Sequence, residues 1–87
     1  MNKKRVSDSF DLLKVVIYVI RNDIHFVAPI VLNDCTVIVE DVKSNSTIVR
    51  KAFDRNNHGK ISIHGKSGKV KVILLSNEIT CSKILML

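Results

Sequence analysis

KSNSTIVRKAFDRNNHGKISI, residues 43–63, can be read as half of a calcium-binding EF-hand or as a helix running into a strand. For calcium, Phe53 precedes Asp54 at loop position 1, with Asn56 at position 3, Gly59 at 6, Ile61 at 8 and Ser62 at 9. The oxygen ligands then run out. Position 5 is His58, and position 12, where a calcium loop needs a bidentate Glu, is Gly65. Asp54 also sits among Arg50, Lys51, Arg55 and Lys60, a field that repels a divalent cation. As a helix the stretch fits better: Ser46 offers a cap, while Ile48, Val49, Ala52 and Phe53 recur at helical spacing. Gly59 then stands as the left-handed cap that ends it. The spacing predicts a helix over about 47–57.

On either side the chain reads as strands. LLKVVIYVI (12–20) is β-branched and apolar on both faces, and a strand is favoured there over a helix starting near Ser7. IHFVAPIVL (24–32) contains Pro29, which cannot donate to a ladder and so marks an edge or a bulge. Asn33-Asp34 signals a turn, and CTVIVEDV (35–42) alternates cleanly. Beyond the helix, Lys60–His64 and Lys69–Leu75 flank the turn GKSG and suggest a hairpin. EITCSKILML closes the chain. The expected fold is α+β, a mainly antiparallel or mixed sheet with one central helix; an OB-like small barrel is the alternative.

Eighty-seven residues suit one small domain, here residues 12–87 behind a polar N-terminal arm at 1–11. The chain is 46% hydrophobic and 5% aromatic, without Trp, which favours β-structure over a helix bundle. A core this small is often supplemented by oligomerisation, so a homo-oligomer is expected. Two cysteines make no disulfide scaffold, and Asp8 and Asp11 interrupt any secretory apolar run. The expected location is cytoplasmic, with no membrane partner.

Two further motifs fail on spacing. GKISIHGKS places five residues between Gly59 and Gly65 where a P-loop needs four, with helix and strand in the wrong order. His25, His58, His64, Cys35 and Cys81 include no pair at structural zinc spacing. Cys35 and Cys81 lie on apolar strand faces and read as small buried hydrophobes. Nothing nominates a nucleophile with its base, a cofactor or a small-molecule substrate, and the chain is read as non-enzymatic.

Charge is the stronger signal. Residues 1–41 carry five basic and six acidic side chains, a net of −1, whereas residues 42–87 carry nine and two, a net of +7. From Arg50 to Lys71 the chain carries Arg50, Lys51, Arg55, Lys60, Lys66, Lys69 and Lys71 against Asp54 alone. Lysines about the flexible Ser67-Gly68 turn can approach phosphates closely and release counterions. Phe53 is the one aromatic in this half, so duplex DNA is expected over a single strand, which normally needs stacking rings.

PIVLNDCTVIVEDVKSNSTIVRKAFDRN followed by GKISIHGKSGKVKVILLSNEITCSKI resembles the RemA/RemB-like extracellular matrix regulator family over residues 24–85. The resemblance places a helix at Thr47–Asn57, a basic glycine turn at Gly65–Lys71 and a closing signature at Asn77, Ile79 and Ser82. It implies ring-like homo-oligomers that bind promoter DNA and regulate transcription, with Lys66 and Lys69 where the family carries arginines. The apolar Leu12–Ile20 run has no counterpart there. Lysine also lacks arginine's bidentate geometry, which weighs against sequence-selective reading.

The expectation is a self-associating regulatory protein that contacts duplex phosphates through its basic turn. A structural or adaptor module assembling through Leu12–Ile20 or the closing ILML is the alternative. A single-strand-binding OB-type domain comes third and requires an exposed aromatic on the sheet face.

Overall fold

The computed structural model describes residues 14–87, so the arm expected at 1–11 and the first residues of the 12–20 run lie outside the described residues. Five strands follow in order: β1 Val16–Ile20, β2 Asp23–Asp41, β3 Ser46–Ser62, β4 Lys69–Leu75 and β5 Thr80–Met86. All pairings are antiparallel.

β2 organises the sheet. Its first residues lie between β1 and the end of β3, with Ile24 opposite Val19 on one side and Ile61 on the other. Its last residues lie between the start of β3 and β4, with Val39 flanked by Val49 and Val72. β4 then pairs with β5, and the sheet curls until β5 returns towards β1. The gap is spanned by Lys83, whose Nζ donates to the Ile17 carbonyl at 2.9 Å. The result is an antiparallel half-barrel.

The curl follows from irregularities written into β2 and β3. Val27 is opposite His58, yet Leu32 is opposite Asn56, so β2 inserts three extra residues around Pro29. Asp34 and Asp54 both adopt left-handed backbones (φ 51° and 55°) at the same corner. Bulges of this kind bend a strand and increase its twist. Asn33-Asp34 therefore kinks a continuous strand and does not reverse the chain.

The inner face carries Ile17, Ile24, Phe26, Leu32, Val37, Val39, Ile61, Val70, Val72 and Leu74, all buried. Their alternation along β2 and β4 leaves Thr36, Ile38, Glu40, Lys71 and Ile73 on the outer face. Burying each large aliphatic side chain contributes about 1.5–3 kcal/mol against the entropy of ordering the chain.

The α+β expectation is overturned: residues 47–57 lie within β3, and none of the described residues is helical. Two bulges imitate the helical spacing. Val39 faces Val49 while Glu40 faces Thr47, so Ile48 is an extra residue and both Ile48 and Val49 lean on the core. Phe53 is likewise extra between Ala52 and Asp54. Apolar pairs four residues apart thus arise from a twice-bulged strand. Thr47, Ile48 and Val49 are also β-branched, which disfavours a helix. The helix that the family resemblance places at Thr47–Asn57 is corrected with it, and the barrel alternative fits.

The proposed hairpin is corrected too. Lys60 pairs with His25 on β2, and β4 lies between β2 and β5. Gly59 is no helix cap: it is buried in β3 beneath Phe26 and Phe53, which meet edge-on at 5.1 Å.

Candidate nucleic-acid interface

Among the described residues β3 pairs with β2 alone, so there it is an edge strand of 17 residues. Edge strands of this length usually carry charge, and here Arg50, Arg55 and Lys60 are all exposed along it. At about 3.3 Å per residue they recur roughly every 16 Å, the bulges aside. Lys51 points to the other face, because Val37 opposite it is buried. Its Nζ lies 5.2 Å above the Phe53 ring and donates to the Lys60 carbonyl at 3.4 Å. Lys51 is therefore already engaged.

The strand begins beside a cationic cleft. Asp41, Val42, Lys43, Lys66, Ser67, Gly68 and Lys69 line a cleft of about 320 Å³ between the β2–β3 turn and the loop before β4. The turn is fixed by its sequence. The Asn45 amide donates to the Asp41 carbonyl at 2.8 Å, and Asn45 takes a left-handed backbone (φ 59°) that Asn tolerates well. Asp41 accepts from the Ser44 hydroxyl at 2.6 Å and the Ser44 amide at 3.0 Å. Its other oxygen meets Lys66 Nζ at 3.0 Å. The Ser44 hydroxyl first, and then Lys66, lower the Asp41 pKa to about 2. Lys66 is consequently half committed to a carboxylate, while Lys43 and Lys69 stay exposed at the cleft.

The expected cations thus fall into three groups. Arg50, Arg55 and Lys60 follow the β3 edge, and Lys66 and Lys69 border the cleft. Lys69 and Lys71 project from the outer face of β4, opposite Met86 and Ile84. Lys43 was not among the expected residues, because its place in a turn after a negative N-terminal half gave no signal for a contact with Gly65–Lys71.

Rings also escaped the sequence reading. Tyr18 on β1 and His25 on β2 are stacked at 5.1 Å with planes 7° apart, and His25 and His58 at 6.1 Å and 13°. They come from distant segments, and no spacing rule links them.

At the opposite corner a polar clamp ties the β4–β5 turn to the kink in β2. The Asn33 amide and side chain both donate to Glu78, at 2.8 and 2.6 Å. Asn77 donates through its side chain to Asp34 at 3.0 Å and through its amide to the Asn33 carbonyl at 3.0 Å. Glu78 is held below its ordinary pKa by the Asn33 amide first and the Asn33 side chain second. These groups satisfy one another, and their role is structural.

Cys35 and Cys81 are both free thiols, and burial raises the pKa of each, so neither is a ready nucleophile. Among the described residues no three His, Cys, Asp or Glu side chains gather as a metal site, and no helix is long and apolar enough to cross a membrane. No protein-family model matches the chain, and no curated protein does.

Proposed function

We propose that the chain is a non-enzymatic, self-associating protein that binds nucleic acid along β3. One observation carries the reading: an exposed 17-residue edge strand with Arg50, Arg55 and Lys60 leads into a cleft bordered by Lys43, Lys66 and Lys69. A polyanion with regularly spaced charges suits such a strip, and phosphate contacts supply most of non-specific affinity. The net charge of +6 favours the encounter. Self-association is supported by β5, which among the described residues pairs with β4 alone and exposes Ile84 and Met86. In the resemblance to the matrix regulators, the bound polymer is promoter DNA.

Charge reversal tests it. The combined Arg50→Glu, Arg55→Glu and Lys60→Glu variant changes three exposed positions, so the fold is retained while binding of a labelled duplex or single strand at low salt is abolished. Undiminished binding by a folded triple variant would remove β3 as the track.

An adaptor reading rests on the outer face of β5, where Ile84 and Met86 are 58% and 60% exposed beside Lys71 and Lys69. That reading requires the same triple variant to keep its protein partner, and Ile84→Glu to lose it.

A further inference from the structure

Tyr18, His25 and His58 stand in one row across β1, β2 and β3. Tyr18 is directly opposite His25, and His58 is opposite Val27, the next residue on that face of β2. The buried partners on the other face, Ile17, Ile24, Phe26 and Ile61, place all three rings outside the barrel. His25 is the middle ring, with Tyr18 on one side and His58 on the other.

His58 ends the row. It is exposed and belongs to the edge strand, so one face of its imidazole meets His25 while the other opens beyond the sheet. Lys60, opposite His25, shares this face. Val16 and Val27, 50% and 39% exposed, add apolar surface beside the rings. A flat π-surface at the end of a stack, with Arg55 and Lys60 two or three residues away on the same strand, suits a planar group carried on a phosphate chain. A duplex keeps its base faces inside its own stack, whereas a single strand offers them to aromatic side chains.

We infer that His58 is a stacking platform for an unpaired base, and that the preferred partner of the β3 track is a single strand. This rests on the nucleic-acid reading and adds what that reading leaves open. It also departs from the duplex expected on sequence, which followed from finding only Phe53 in the basic half.

The test compares a labelled oligothymidylate with an abasic strand of equal length and a duplex, by fluorescence anisotropy at one low salt concentration. The wild type binds the oligothymidylate about tenfold more tightly than the abasic strand. His58→Ala removes most of that difference and leaves abasic binding unchanged, and His58→Tyr restores it. Tyr18 is the single tyrosine of a chain without Trp, so its emission shows whether the Tyr18–His25 pair survives in each variant. Equal wild-type affinity for the two strands would overturn the stacking role while leaving phosphate reading in place. Failure to bind any of the three polymers would remove the nucleic-acid reading and the platform together.

Discussion

Asp41 and Lys66 meet at 3.0 Å, and this one ion pair ties the β2–β3 turn to the loop that leads into β4. The same carboxylate caps the turn through Ser44. The carboxylate thus adds a side-chain tie to the backbone bond from the Val42 amide to the Lys69 carbonyl (3.2 Å), which already joins the two walls of the cationic cleft.

A pH dependence follows from the depressed pKa of Asp41, about 2, and of Glu78. A carboxyl that stays ionised lower in the folded than in the unfolded chain stabilises the fold fully above its unfolded pKa. That contribution is lost as pH falls from about 4 towards 2, where only the unfolded chain takes up the protons. Urea midpoints measured across this window should decline in the wild type, and Asp41→Asn should flatten part of the slope.

Gly59 has no room for a methyl group. A Cβ there would fall on Phe26 Cε2 and lie 2.6 Å from Phe53 Cε1, so the edge-on pair of rings must separate. Gly59→Ala should lose about 1–3 kcal/mol in denaturant unfolding. A neutral result would mean that the two phenylalanines do not close over β3.

Leu74 is fully buried, whereas its neighbour Ile73 lies on the outer face and is only partly covered. Leu74→Ala should cost about 2–5 kcal/mol, a large share of the stability of a domain this size. Ile73→Ala should cost distinctly less when the two variants are compared by denaturant unfolding. Equal losses would contradict the assignment of inner and outer faces.

Thiol labelling separates the two cysteines. Cys35 is 0% exposed, while Cys81 is half-buried and lines the cleft of about 390 Å³ between β1 and β5. Iodoacetamide should modify Cys81 first, and Cys35 only at the rate of unfolding. Both reactions should be slow at neutral pH, since burial raises each thiol's pKa.

Much of the sheet was legible. Alternation in CTVIVEDV and KVKVILL gives the second half of β2 and β4 with the correct inner face, and Pro29 marks the bulge that bends β2. β3 was misread because its bulges at Ile48 and Phe53 pair apolar residues four apart, a pattern indistinguishable from a helix face without the partner strand. Of the candidate site, the cations at 50, 55 and 60 could be read from the chain because they fall within one short segment, although most of that segment reads as a helix and not as a strand edge. Lys43 in the cleft and the Tyr18–His25–His58 row could not, because β2 brings them together from separate segments. Strand pairing of that kind is a property of the register and leaves no local signature.

The most direct test of the central claim is the salt dependence of nucleic-acid binding. Anisotropy titrations of a labelled single strand and a labelled duplex, between about 50 mM and 200 mM salt, read the number of phosphates the protein neutralises. Four to six contacts from β3 and the cleft predict saturable binding with a slope of log affinity on log salt of roughly −4 to −5 for duplex, and shallower for the single strand. No saturable binding at the lower salt, or an affinity indifferent to salt, would contradict the account and leave Arg50, Arg55 and Lys60 as a solvated edge.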